Sequence, residues 1–127
     1  MGLRDRNRFT DENCFFVTTR CHEKRFLFVD DACFYILLDN FRFYNERYKA
    51  RTVAYVLMSN HIHFIVYFLE RNQLSNYLRD YKKYSAVALR EHLNQCRSDL
   101  VEQLRYEHRT QHYKVWQDKF DDVMLRS

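Results

Sequence analysis

Tyr55-Val56-Leu57-Met58-Ser59-Asn60-His61-Ile62-His63-Phe64-Ile65-Val66-Tyr67-Phe68 reads as two apolar strands joined at a short polar turn, Ser59-Asn60. The second strand opens with His61 and His63. Side chains alternate faces along a strand, so these two imidazoles leave the same face. Their Cα atoms then lie roughly 6.6 Å apart. Ile62, Phe64 and Val66 point the other way, into a core. Two rings at that spacing can converge on one cation. The plainer alternative is a pair of surface or hydrogen-bonded histidines in an ordinary strand.

Working outward, residues 13–20 (Asn-Cys-Phe-Phe-Val-Thr-Thr-Arg) are rich in aromatic and β-branched types and read as a strand. Residues 21–25 form a charged loop. Asp30 or Asp31 is an N-cap, and Phe34, Leu37, Leu38, Phe41 and Tyr44 repeat at threes and fours, one helix face running to about Tyr48. Beyond the hairpin, residues 69–73 are polar. Leu74, Tyr77, Leu78, Tyr81, Ser85, Ala88 and His92 make a second helical stripe, ending near Gln95. Residues 96–111 are charged and helix-prone with a weak apolar period, a helix end followed by a loop. Residues 113–117 and 120–125 are a final strand or two short extended pieces. The order β-α-β-β-α-β is that of a ferredoxin-like α+β fold, an antiparallel sheet with both helices on one face. The other face is left for His61 and His63.

A chain of 127 residues is one domain, 1–127, by its length. Its 46% hydrophobic content supplies a packed core, and the 11 Phe and 10 Tyr make that core aromatic. The net charge of +4 permits a polyanionic partner without demanding one. One Gly and no Pro exclude a P-loop or a glycine-rich dinucleotide turn, whose backbone approach needs glycines. Cys14, Cys21, Cys33 and Cys96 form no C-x-x-C pair, which argues against a zinc knuckle. His22, His92, His108 and His112 show no partner at metal-ligand spacing and read as structural or solvated. The first residues lack the apolar core of a signal peptide, and no apolar run reaches membrane-spanning length. Reduced thiols in a cytoplasmic protein, with no membrane partner, are the simplest reading.

The block Val56-Leu57-Met58-Ser59-Asn60-His61-Ile62-His63-Phe64 resembles the histidine–hydrophobic–histidine motif of single-tyrosine HUH transposases, the insertion-sequence-200-like and REP-associated kind. Three further blocks follow the same order. Residues 15–20 are similar to the family's first strand. Residues 74–85 resemble its basic helix, and residues 113–120 its last strand with a Trp-Gln pair, here Trp116-Gln117. Position 59 is Ser where the family commonly has Pro, a change a turn tolerates.

This resemblance implies a mechanism and partners. A divalent cation, magnesium or manganese, is held by His61, His63 and a third polar ligand, and polarises a phosphate of single-stranded DNA. A tyrosine attacks the phosphorus, and a 3′-hydroxyl leaves. Members act as homodimers on DNA hairpins. The family's nucleophilic tyrosine sits on a helix after the Trp-Gln strand, so here it is expected beyond Ser127. The chain then reads as truncated at its C-terminus and inactive alone. The competing function is a hairpin- or single-strand-binding protein that has lost strand transfer. If the third ligand is missing, zinc or nickel suits the histidine pair better than a hard ion.

Arg79, Lys82, Lys83 and Arg90 lie off the second helical stripe. They read equally as a solvated helix face and as contacts to DNA phosphates; Arg4, Arg6 and Arg8 pose the same choice. Trp116 is either core or a stacking platform for an unpaired base. Among substitute nucleophiles, Tyr77 and Tyr81 fall in the apolar stripe, Tyr84 lies beside Lys82 and Lys83, and Tyr113 sits in the last strand. All four read better as structural.

Overall fold

The computed structural model describes residues 13–108 and 111–125; Arg4, Arg6 and Arg8 lie outside them. Strand β1 (Cys14–Arg20) leads through a 3-10 turn (His22–Lys24) to helix α1 (Asp31–Arg47). The hairpin β2 (Ala50–Leu57) and β3 (His61–Phe68) follows, then helix α2 (Leu74–Cys96) and a short helix α3 (Ser98–Gln103). Strands β4 (Arg105–His108), β5 (Gln111–Tyr113) and β6 (Asp121–Met124) complete the order. The main sheet runs β2-β3-β1-β6, and its pairings are antiparallel. This is the expected α+β architecture, with β6 as the fourth strand.

β3 lies between β1 and β2 because its inward side chains have the most to gain from burial. Ile62, Phe64 and Val66 are 0%, 1% and 0% exposed, as the alternation requires. They meet Leu37 and Phe41 of α1 and Tyr77, Tyr81 and Leu89 of α2 in one core. Phe41 packs against Phe64 at 4.9 Å and stacks on Tyr81 at 4.8 Å between ring centroids. The buried phenols are satisfied, as low-dielectric burial demands: Tyr81 donates to the Leu37 carbonyl (3.1 Å) and Tyr77 to Asn45 (2.7 Å).

Asp30 caps α1, its carboxylate accepting from the Cys33 amide at 3.0 Å. The stripe of α2 differs from expectation near its end. Leu89 and Leu93 are buried, while Ala88 and His92 are half-buried. A 3.6-residue period rotates the inward face over a 23-residue helix, and the larger aliphatic side chains take it. The scarcity of glycine also has its counterpart: Glu23, Lys24, Lys49 and Asn72 turn the chain at φ of 54°, 57°, 52° and 60°.

The C-terminal third departs most from expectation. Residues 98–103 are helical, and a separate two-stranded β4–β5 ladder replaces the expected loop. Residues 113–117 do not form a full strand. Trp116 makes an isolated antiparallel bridge to Cys21, and the Gln117 amide donates to the Arg20 carbonyl at 2.9 Å. The Trp116 side chain instead enters the core, packs on Phe28 (5.5 Å) and donates its indole N–H to Ser85 at 3.0 Å. It is 4% exposed, so it is core and not a stacking platform.

Ser85 is itself fully buried. Ser85→Ala strands the indole N–H without an acceptor and is expected to lower stability by about 1–2 kcal/mol. Urea unfolding of the two proteins checks this.

Candidate functional site

The sheet face away from the helices is built by β1 and β3 together. Their register sets Arg20 beside His61, Thr18 beside His63 and Phe16 beside Ile65. The rings of His61 and His63 sit side by side, 4.8 Å between centroids and at 80° to each other. Both are half-buried, and the described helices supply their core residues to the cluster around Ile62, Phe64 and Val66 on the opposite face. Phe16 stacks on His63 at 5.7 Å.

Each ring is oriented through Nδ1. Asn60 donates its amide N–H to the Lys24 carbonyl (3.2 Å), which fixes that amide so that its oxygen faces His61. The 2.7 Å contact between His61 Nδ1 and Asn60 Oδ1 is therefore a donation by the ring. The neutral His61 ring then keeps its lone pair on Nε2. His63 Nδ1 is bonded to the Thr18 hydroxyl at 2.7 Å. A hydrogen bond at one ring nitrogen that leaves the other bare is how proteins present imidazole to a metal. Burial, with the nearby His61 and Arg20 charges, lowers the His63 pKa and favours the neutral ring.

The site is a partial one. Among the described residues, no acidic or thiol group joins both imidazoles at ligand spacing. Asp121 pairs with Thr18 in the register of β6, but its carboxylate is bonded to Arg20 at 2.7 Å. The residues fit a divalent cation with two nitrogen donors, the rest of its shell to come from water, phosphate or a further residue. Magnesium and manganese prefer oxygen ligands, so the pair alone favours a softer ion.

Thr18, Arg20, Asn60 and Asp121 were not picked out as site residues from the sequence. Period-two alternation does place Phe16, Thr18 and Arg20 on one face. Only the strand register sets that face beside the histidines.

Arg79, Lys82, Lys83 and Arg90 come together along a groove of about 660 Å³ between α2 and residues 113–120. Their environments differ. Arg79 and Lys83 are exposed; Arg79 pairs with Asp80 at 3.0 Å, and Lys83 lies over the Tyr84 ring at 5.3 Å. Arg90 covers Tyr113 at 5.0 Å. Lys82 is half-buried and donates to the Gln117 carbonyl, and desolvation lowers its pKa. It ties the 113–118 segment to α2, a role its position off the stripe did not reveal. Lys114, 6% exposed, holds Asp118 at 2.8 Å on the same segment. The groove wall is tied to the end of β1 by two backbone bonds, Gln117 N–H to the Arg20 carbonyl and His22 N–H to the Val115 carbonyl.

Tyr77 and Tyr81 are fully buried on the opposite side of the sheet, and desolvation raises both phenol pKa values strongly. Tyr84 is exposed on α2, and Tyr113 lies under Arg90. None of the four belongs to the histidine face. His92, expected to lack a metal-ligand partner, instead contacts Asp30 at 2.9 Å and the Cys96 sulfur at 3.6 Å.

The family described as "Transposase IS200 like" matches residues 14–123. Two solved structures are similar in fold. The REP-associated tyrosine transposase bound to a REP hairpin matches with a TM-score of 0.61 and 16% identity, over 94% of this chain. This chain spans 59% of the length of that one. A candidate transposase from Deinococcus radiodurans R1 matches with a TM-score of 0.63 and 13% identity, over 88% of this chain and 78% of its own. No curated protein matches the sequence. None of the described helices is long and apolar enough to cross a membrane.

The depressed His63 pKa gives a signed expectation. Below the ordinary value of 6.5, the unfolded chain takes up the proton before the folded ring does. Stability therefore falls as pH drops through that window, and levels off once the folded ring is protonated too. The His63 resonances, followed by NMR, are expected to titrate with a midpoint below 6.5, and His63→Gln to remove this part of the pH dependence of unfolding.

Proposed function

The chain belongs to the IS200-like transposase family, and from that premise we propose that it supplies the metal- and DNA-holding part of a single-strand DNA transposase. The observation that carries this reading is the half-buried histidine pair on one sheet face, with both Nδ1 atoms engaged. His61 and His63 hold a divalent cation through Nε2. A cation there supplies Lewis acidity to a scissile phosphate. Arg20, beside His61 in the register and paired with Asp121, offers guanidinium N–H donors where that phosphate would lie.

Arg79, Lys83 and Arg90 contact the phosphates of single-stranded or hairpin DNA along the groove. Lys82 holds the groove's wall in place. The attacking tyrosine is none of the four candidates the sequence offered, since Tyr77 and Tyr81 are buried and Tyr84 and Tyr113 stand off the histidine face. Two copies pair as a homodimer, as the family resemblance implies.

A second reading has the same groove and no strand transfer: a DNA-binding protein derived from a transposase. The incomplete ligand set favours it, because a two-nitrogen site holds a hard ion weakly.

The test incubates the chain with labelled hairpin DNA and manganese. Expected is salt-dependent binding without a covalent protein–DNA adduct. Replacing Arg79 and Lys83 by Ala is expected to reduce the slope of log affinity against log salt by about 0.7 for each single-strand phosphate no longer neutralised. His61→Ala is expected to abolish manganese binding followed by electron paramagnetic resonance. An adduct formed by this chain overturns the placement of the nucleophile, and a failure to bind DNA at low salt overturns the DNA reading.

A further inference from the structure

A second group of metal-binding side chains lies on the helical side of the protein, away from the histidine pair. Asp30 and Cys33 stand at the start of α1, three residues apart. His92 and Cys96 stand one turn apart at the end of α2. α1 and α2 run in opposite senses: Asp30 meets His92 at one end, and Tyr48 meets Asp80 at the other. The start of one helix therefore packs on the end of the other, and the four side chains meet there.

The distances are those of a nearly assembled coordination shell. One ligand atom each from Asp30, Cys33 and His92 lies within 4.8 Å of the others. His92 Nε2 is 2.9 Å from Asp30 Oδ2, and Cys96 Sγ is 3.6 Å from His92 Nε2 and 4.0 Å from Asp30 Oδ2. Ligand atoms about 2.0–2.3 Å from a tetrahedral zinc ion stand roughly 3.3–3.8 Å apart. Asp30, Cys33 and His92 are thus already gathered, and Cys96, which contacts Asp30 and His92, completes the shell by turning its thiol toward Cys33.

We propose that Asp30, Cys33, His92 and Cys96 form a zinc site that clamps the start of α1 to the end of α2. The donor set decides the ion. Two sulfurs, one imidazole nitrogen and one carboxylate oxygen suit zinc and disfavour magnesium and manganese. Zinc ligand spacings of two to four residues within each pair are also met, as Asp30-x-x-Cys33 and His92-x-x-x-Cys96. Cys33 is fully buried and forms the floor, while Cys96 is exposed and His92 half-buried, which leaves the ion a way in. Without metal, the same residues make an ordinary capped helix start: Asp30 accepts from the Cys33 amide and pairs with His92, and Cys33 Sγ contacts the Leu27 carbonyl at 3.7 Å. Binding would release the thiol protons and add a cross-link between two helices otherwise joined by packing.

The site is separate from His61 and His63 in the fold, and its test needs no DNA. The reduced, metal-stripped chain is titrated with cobalt(II) and then with zinc. Expected is a thiolate-to-cobalt charge-transfer band in the near ultraviolet that saturates at one cobalt per chain in the His61→Ala/His63→Ala variant and is displaced by zinc. Zinc is also expected to raise the unfolding temperature by several degrees. Cys96→Ser, at an exposed position that folding does not require, is expected to weaken binding at least tenfold and to diminish the band. Asp30→Asn keeps a helix-capping side chain and is expected to weaken binding similarly. The His61→Ala/His63→Ala variant is expected to retain the band. A wild-type chain with native circular dichroism and no charge-transfer band overturns the site. So does a band unchanged in Cys96→Ser, or one that disappears in the His61→Ala/His63→Ala variant.

Discussion

The structure depends on the burial of one face of β3. Ile62, Phe64 and Val66 are essentially inaccessible to water, and β3 shares the centre of the four-stranded sheet with β1. Removing that much apolar surface from water is worth several kcal/mol. The cost of exposing it would exceed the net stability of many small domains. Because a strand alternates with a period of two, the same burial commits His61 and His63 to the opposite face. The position of the imidazoles is thus a by-product of the hydrophobic effect acting on their neighbours.

The contacts behind the two rings convert that placement into chemistry. Thr18 reaches His63 because β1 pairs antiparallel with β3 in the observed register. Asn60 reaches His61 because the turn amide is anchored to Lys24. Slipping β1 by one residue would set Val17 or Thr19 opposite His63, turning their side chains onto the histidine face and Thr18 into the core. Register is therefore as much a part of the histidine site as the histidines themselves. Trp116 plays the corresponding part on the helical side. Its indole bond to Ser85 and its bridge to Cys21 hold the 113–118 segment against α2 and shape the basic groove.

The elements legible in the sequence were those with a strong local signal. The Asp30 cap, the α1 stripe through Phe41 and Tyr44, and the hairpin around Ser59-Asn60 all depend on near neighbours. Ala88 and His92 leave the buried stripe because Leu89 and Leu93 bury more apolar surface toward the end of a long helix. The β4–β5 ladder was illegible because it is a backbone pairing that no apolar period announces, extended by the Lys114 amide donating to the Leu104 carbonyl. Lys82 looked like a member of a charged helix face, yet its partner is a backbone carbonyl 35 residues away.

By itself the sequence determined the α+β class and the element order through the second long helix, the exclusion of glycine-loop nucleotide chemistry and the common face of His61 and His63, since each follows from residue type and short-range spacing. Tertiary structure alone decided which nitrogen of His61 is bare, which cations line the groove and which are tied down, and that Asp30, Cys33, His92 and Cys96 meet. Those facts rest on strand register and on the opposed packing of two helices. Both are set by burial summed over the whole core, which short-range spacing does not encode.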